Sequence, residues 1–141
     1  MSEPKQTTKL ITENGKESSF VPFPVADTKL TSKIDEILRQ GLSYKQVKKG
    51  INETIKFLDK GKVEVVVMAA DADPIELLAH MPTLCEERSV PYCFVKEAAF
   101  LGRACGISRP VICCSIVANE NSTLKTQLDT LKDNLEILFY P

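Results

Sequence analysis

At 141 residues, 43% of them hydrophobic and 26% charged, the chain has enough apolar material for one core and too little for two. A formal net charge of −1 excludes a histone-like polycation, and five cysteines without a CxxC pair exclude a disulfide scaffold or zinc site. No apolar run nears the roughly 20 residues that cross a bilayer, and the first residues hold no apolar signal core, so a soluble intracellular protein is expected.

Residues 1–20 are polar and almost without apolar periodicity, which predicts a flexible tail ahead of a single domain over 21–141. Val21-Pro22-Phe23-Pro24-Val25 reads as an extended lead-in, because a residue before proline is pushed out of the helical region. Thr31 or Ser32 is placed to cap a helix running to about Gly41, with Ile34, Ile37 and Leu38 turned inward.

The next stretch, Lys48-Lys49-Gly50-Ile51-Asn52-Glu53-Thr54-Ile55-Lys56, predicts a lysine-led helix that runs to about Lys60 and stops at Gly61. Ile51, Ile55 and Leu58 form its apolar stripe, and Asn52, Glu53 and Lys56 share the opposite side. Free N–H groups at a helix start add to lysine charge in attracting phosphate. An amide, a carboxylate and an ammonium on one face can also read a nucleobase edge. From this stretch alone, a solvated face with an i, i+3 ion pair is the more ordinary reading of the same residues.

Val63 to Ala70 is a β-branched run fit for a central strand. Asp71-Ala72-Asp73-Pro74 predicts a loop, followed by a proline-started helix to about Arg88. Asp71 and Asp73 are either turn and capping residues or metal ligands at the carboxyl end of a strand. His80 and Cys85 stand five apart, a spacing that sends them to different sides of one helix and argues against a nucleophile pair. Pro91 to Val95 is a further strand, Ala98 to Cys105 a short helix closed by Gly106, and Val111 to Val117 a third buried strand. Asn121 or Ser122 opens a final helix whose apolar face is Leu124, Leu128, Leu131, Leu135 and Leu138. The alternation predicts an α/β fold, a three-layer α/β/α sandwich around a small mixed sheet.

Charge is segregated along this pattern. Residues 45–62 carry six lysines against Glu53 and Asp59, a net of +4, whereas 64–87 carry six acids and no Lys or Arg. That asymmetry suits a local anion site without general stickiness. The loop after Gly106 sets Ile107 two residues before Arg109, an apolar wedge beside a planar cation, as single-stranded RNA readers use. The alternative has Ile107 folding inward and Arg109 pairing with an acid of the 64–87 block. No phosphate-binding loop, dinucleotide motif or nucleophile elbow is present, which disfavours a small α/β enzyme built on Asp71, Asp73 or a cysteine.

Three separated segments, Lys48–Lys56, Val65–Tyr92 and Gly102–Ser115, together resemble the L-seven-Ae superfamily of kink-turn RNA-binding proteins. Within it the nearest likeness is to the eukaryotic branch that serves box C/D small nucleolar particles and the spliceosomal tri-snRNP, and it spans about Val25 to Leu138. The resemblance implies a non-enzyme with no catalytic residue, cofactor or metal. It implies binding of kink-turn RNA (snoRNA and spliceosomal snRNA), nucleation of particles for splicing and rRNA processing, and docking of snoRNP and tri-snRNP proteins on the protein–RNA surface. It implies no membrane partner, a monomer in the absence of RNA, and location in the nucleus and nucleolus. An H/ACA or ribosomal paralogue of the same fold is the neighbouring alternative. By position, Lys48, Lys49 and Gly50 would meet the backbone at the kink, and Asn52, Glu53 and Lys56 would read sheared G·A pairs. Asp73, Leu77, Arg109 and Ile112 would line a pocket for a flipped-out nucleotide, with Ile107 above it. Ala98 stands where the family usually has lysine, and Asp73 where it has glutamate.

Overall fold

The computed structural model describes residues 10–11, 17–18, 24–72, 74–118 and 124–139. Within the segment read as a polar tail, β1 (Leu10–Ile11) pairs antiparallel with β2 (Glu17–Ser18), an element the sequence pattern does not predict. The rest of residues 1–20 lies outside the described residues, as do Val21 to Phe23.

Eight elements then alternate up to the last helix: α1 (Thr28–Ser43), β3 (Val47–Lys49), α2 (Ile51–Asp59), β4 (Val63–Ala69), α3 (Met81–Glu87), β5 (Tyr92–Val95), α4 (Ala98–Ala104) and β6 (Cys113–Val117). The chain closes on α5 (Lys125–Phe139). The predicted opening of that helix at Asn121 or Ser122 lies outside the described residues. The four longer strands lie in the order β3-β6-β4-β5; only β4 and β5 run parallel. Val25 adds a bridge to Phe94 along the edge of β5, with the Ala26 N–H donating to the Phe94 carbonyl at 2.8 Å.

Alternation along β4 divides the interior. Val65 and Val67 join Ile34, Leu38, Leu101, Leu128 and Leu131 in a core under α1, α4 and α5. Val66 and Met68 join Leu58, Leu78, Met81 and Phe94 in a second core under α2 and α3. A strand covered on both faces needs an unbroken apolar run, and Val65 to Ala69 is fully buried. The three-layer α/β/α sandwich follows.

Three predicted boundaries are corrected. Helix α1 begins at Thr28, ahead of Thr31 and Ser32, because Asp27 caps it by accepting the Leu30 N–H at 2.8 Å. Replacing Asp27 with alanine is expected to cost about 1 kcal/mol of stability, read by urea unfolding; an unchanged midpoint would show the cap to be dispensable. Helix α2 is not led by Lys48 and Lys49, which belong to β3 and pair with Ser115 and Cys114. The helix predicted from Pro74 to Arg88 is broken into a 3-10 turn at Ile75–Leu78 and α3. Pro82 explains the break: it has no N–H to give and is tolerated only in a first helical turn, so α3 restarts around it.

All five cysteines are buried and free. Cys113 faces the α2 side, where its thiol lies 3.7 Å from the Thr54 hydroxyl, and Cys114 faces the other core. Burial pushes Cys85, Cys93 and Cys113 up from an ordinary value of 9.0 to about 12. The unfolded chain therefore loses these protons first, and stability is expected to fall as pH rises from about 9 toward 12. Native-state iodoacetamide labelling at pH 8 should proceed only as fast as the fold opens. Rapid labelling of Cys93 in native buffer would contradict this packing.

Candidate nucleic-acid interface

The sheet register gathers three segments at one end. β3 stops at Lys49 opposite Cys114, and β4 stops at Ala69, whose N–H donates to the Ile112 carbonyl at 2.9 Å. β6 runs the other way and starts where those two stop, Met68 facing Cys113. The Gly50 turn, residues 70–72 and 74–77, and the Ile107–Ile112 loop therefore share that end.

Gly50 joins β3 to α2 with φ 95° and ψ 155°, a region open essentially to glycine alone. Its N–H donates to the Cys113 carbonyl at 2.7 Å, and its carbonyl accepts from Thr54 at 3.1 Å. A methyl group there would meet nothing within 4 Å, so the demand for glycine is conformational rather than steric. The turn aims the start of α2 outward from the sheet end. Asn52, Glu53 and Lys56 are all exposed, as the 3.6-residue period predicts. Thr54 and Leu58 are buried beneath them, and Ile51 and Ile55 are partly buried against the second core. The face is thus fixed from below and open above.

The two lysines before Gly50 part company, since neighbours on a strand point to opposite faces. Lys48 is half-buried, its ammonium 5.1 Å from the centre of the Phe57 ring on α2. Lys49 is exposed on the side of Cys105 at the end of α4. There the hydrogen bond with Cys114 lowers the Cys105 pKa, burial opposes that, and the nearby Lys49 charge lowers it further.

Across the sheet end, Leu77 is 52% exposed in the 3-10 turn, a conspicuous position for a leucine. Ile107 and Ile112 are both half-buried but lean on different cores, Ile107 on that of α1 and α4, Ile112 on that of α2 and α3. The loop between them straddles the sheet end. Ile107 therefore folds partly inward, while Arg109 is exposed and pairs with no acid among the described residues. Asp73 lies outside the described residues.

Asp71 acts as an acceptor for a helix start, though not the helix after it: its Oδ1 takes the Ala98 N–H of α4 at 2.8 Å. Gly102 is a residue the sequence reading passes over. A Cβ on it would stand 1.9 Å from the Arg109 carbonyl oxygen, so the Arg109–Pro110 backbone lies directly on α4. The Ile107 N–H also donates to the Gly102 carbonyl, and the Val111 N–H to that of Ala98. A glycine inside a helical pattern was the available signal. His80 precedes α3 and is exposed, whereas Cys85 is buried within it, so the two make no nucleophile pair. No described helix is long and apolar enough to cross a membrane.

Comparison with known proteins agrees with this architecture. The ribosomal protein L7Ae/L30e/S12e/Gadd45 family matches residues 32–126. A Caenorhabditis elegans protein named small nuclear ribonucleoprotein associated homolog 13 is 53% identical over 116 residues, covering 82% of this chain and 91% of its own. The 13 kDa ribonucleoprotein-associated protein of Saccharomyces cerevisiae is 50% identical over 116 residues, covering 82% and 92%. A solved structure, the Giardia lamblia 15.5kD RNA binding protein, superposes with a TM-score of 0.79 at 37% identity, over 83% of this chain and 96% of that one.

Proposed function

The chain belongs to the ribosomal protein L7Ae/L30e/S12e/Gadd45 family, and on that premise we propose that it binds kink-turn RNA and nucleates ribonucleoprotein assembly. The observation that carries this reading is the exposed trio Asn52, Glu53 and Lys56 at the start of α2, behind a turn that only glycine allows. In a sheared G·A pair guanine pairs through its sugar edge, leaving N1–H as donor and O6 as acceptor toward the groove. Glu53 accepts from N1–H, and Lys56 or Asn52 donates to O6. A face carrying only lysines would lack that acceptor.

Lys48, Lys49 and Gly50 meet the phosphates of the kink. Leu77, Arg109 and Ile112, together with Asp73, flank a nucleotide turned out of the stack, with Ile107 against its face. Names of relatives support a ribonucleoprotein setting, snRNP-associated in one case. In this reading the RNAs are box C/D snoRNA and spliceosomal snRNA, the later partners are snoRNP and tri-snRNP proteins, and the setting is the nucleus and nucleolus. The protein works without catalysis, by stiffening an RNA bend.

A kink-turn RNA labelled at both stem ends with a donor and an acceptor dye tests this. Adding protein should raise energy transfer as the stems close, and a protein that binds without bending the RNA would overturn the reading. A narrower result concerns the pocket. Leu77→Ala and Arg109→Ala should each weaken binding, and the double variant should lose less than their sum because both act on one base. Full additivity would mean that the flipped base goes elsewhere.

A further inference from the structure

Phe57 lies one turn beyond the proposed base-reading residues and gathers two cations. The Lys48 ammonium is 5.1 Å from its ring centre and the Lys60 ammonium 5.0 Å. The ring is anchored, since Phe57 is partly buried and packs against the core under α2. Attraction to the ring partly offsets the mutual repulsion of the two ammonium groups and fixes where both sit. Among the described residues neither lysine pairs with an acid. Asp59, the one carboxylate at that end of α2, is taken by Arg88 at 3.3 Å. The local field is therefore positive.

Asn52, Lys56 and Lys60 follow at i, i+4 and i+8, so they form one stripe along α2. Its length is about 12 Å at 1.5 Å per residue, enough to run from a base edge to phosphates further along a stem.

We propose that Lys48, Phe57 and Lys60 form a phosphate cradle that extends the interface from the kink onto the sugar–phosphate backbone of an adjoining RNA stem. This rests on the RNA-binding reading and adds a second contact region to it. Phe57 is a positioning residue, and the two lysines are the contacts. The cradle reads no sequence, so it contributes affinity and stem-length dependence rather than base choice.

The test titrates the full chain against two kink-turn RNAs that differ only in stem length, over a series of salt concentrations. With the long stem, Lys60→Gln should lower the slope of log affinity against log salt by about one and weaken binding several-fold. Phe57→Leu, which keeps the apolar packing but removes the ring, should act in the same direction to a smaller extent. With the stem cut back to the kink, Lys60→Gln should match the parent, whereas Phe57→Leu should keep only the part of its effect that passes through Lys48. Glu53→Ala serves as the internal control: it should weaken both RNAs equally, and its failure to do so would count against the RNA-binding reading itself. If Glu53→Ala behaves as expected while Lys60→Gln leaves the long-stem slope unchanged, the cradle proposal is overturned. Lys60 would then serve only the carboxyl end of α2, or an acidic protein segment.

Discussion

Glu53→Ala is expected to weaken binding of a kink-turn RNA by about 1–3 kcal/mol, the usual worth of a good base contact, and to leave thermal melting near that of the parent. Both halves follow from its position. Glu53 is exposed on α2, and the packing that holds the helix comes from Thr54, Leu58, Ile51 and Ile55 on the other side. Removing the carboxylate therefore takes nothing from the core. In the complex it strips the guanine N1–H of its acceptor, and a donor left unpaired in an interface loses its full solvation. Asn52→Ala should behave alike, whereas Lys49→Ala, at a proposed phosphate contact, should cost less and weaken all RNAs similarly. Calorimetric titration beside a thermal melt separates the two readouts. If Glu53→Ala instead unfolds the protein while its folded fraction keeps full affinity, the residue is structural and the assignment fails.

Gly102→Ala is expected to damage both fold and binding. The added methyl would fall 1.9 Å from the Arg109 carbonyl oxygen and 3.3 Å from the Pro110 Cα, both backbone atoms that no side-chain rotation can move aside. The loop must lift off α4 or the helix must shift. Overpacking of this kind costs about 1–3 kcal/mol and sometimes more, which for a domain near this size lowers the melting temperature on the order of 10 °C. The loop that moves carries Ile107 and Arg109, so RNA affinity should fall in the fraction that remains folded. A variant that melts and binds like the parent would show that the loop does not rest on α4.

Much of this was legible in the residues, and what was not has physical causes. The central strand Val63–Ala69 and the mixed face of α2 declared themselves through periodicity, because burial on two sides or one imposes a pattern on side chains. The chain reversals at Gly61 and Gly106 did so through glycine, and both have positive φ. β3 did not, since three residues hold no period and the strand exists only through its pairing with β6. That omission put Lys48 and Lys49 together on a helix approach, where the strand sends them to opposite sides. Pro82 marks the break within 74–88, since proline is tolerated in a first helical turn but does not continue a helix already begun. At the proposed site, Asn52, Glu53 and Lys56 follow from spacing alone. The support beneath the Ile107–Pro110 loop does not, because a contact between Gly102 and the Arg109 carbonyl is a property of two backbones and leaves no trace in side-chain chemistry. The Asp71 bond to the Ala98 N–H, across 27 positions, is equally silent.

The central claim is that this chain selects an RNA bend by its sheared G·A pairs. Gel-shift titration against a kink-turn RNA and against the same RNA with those pairs changed to Watson–Crick G·C tests it most directly. The account predicts a discrete complex with the first and binding weaker by at least about thirtyfold with the second, two lost base contacts at roughly 1–3 kcal/mol each. Equal affinity for the two RNAs would contradict it.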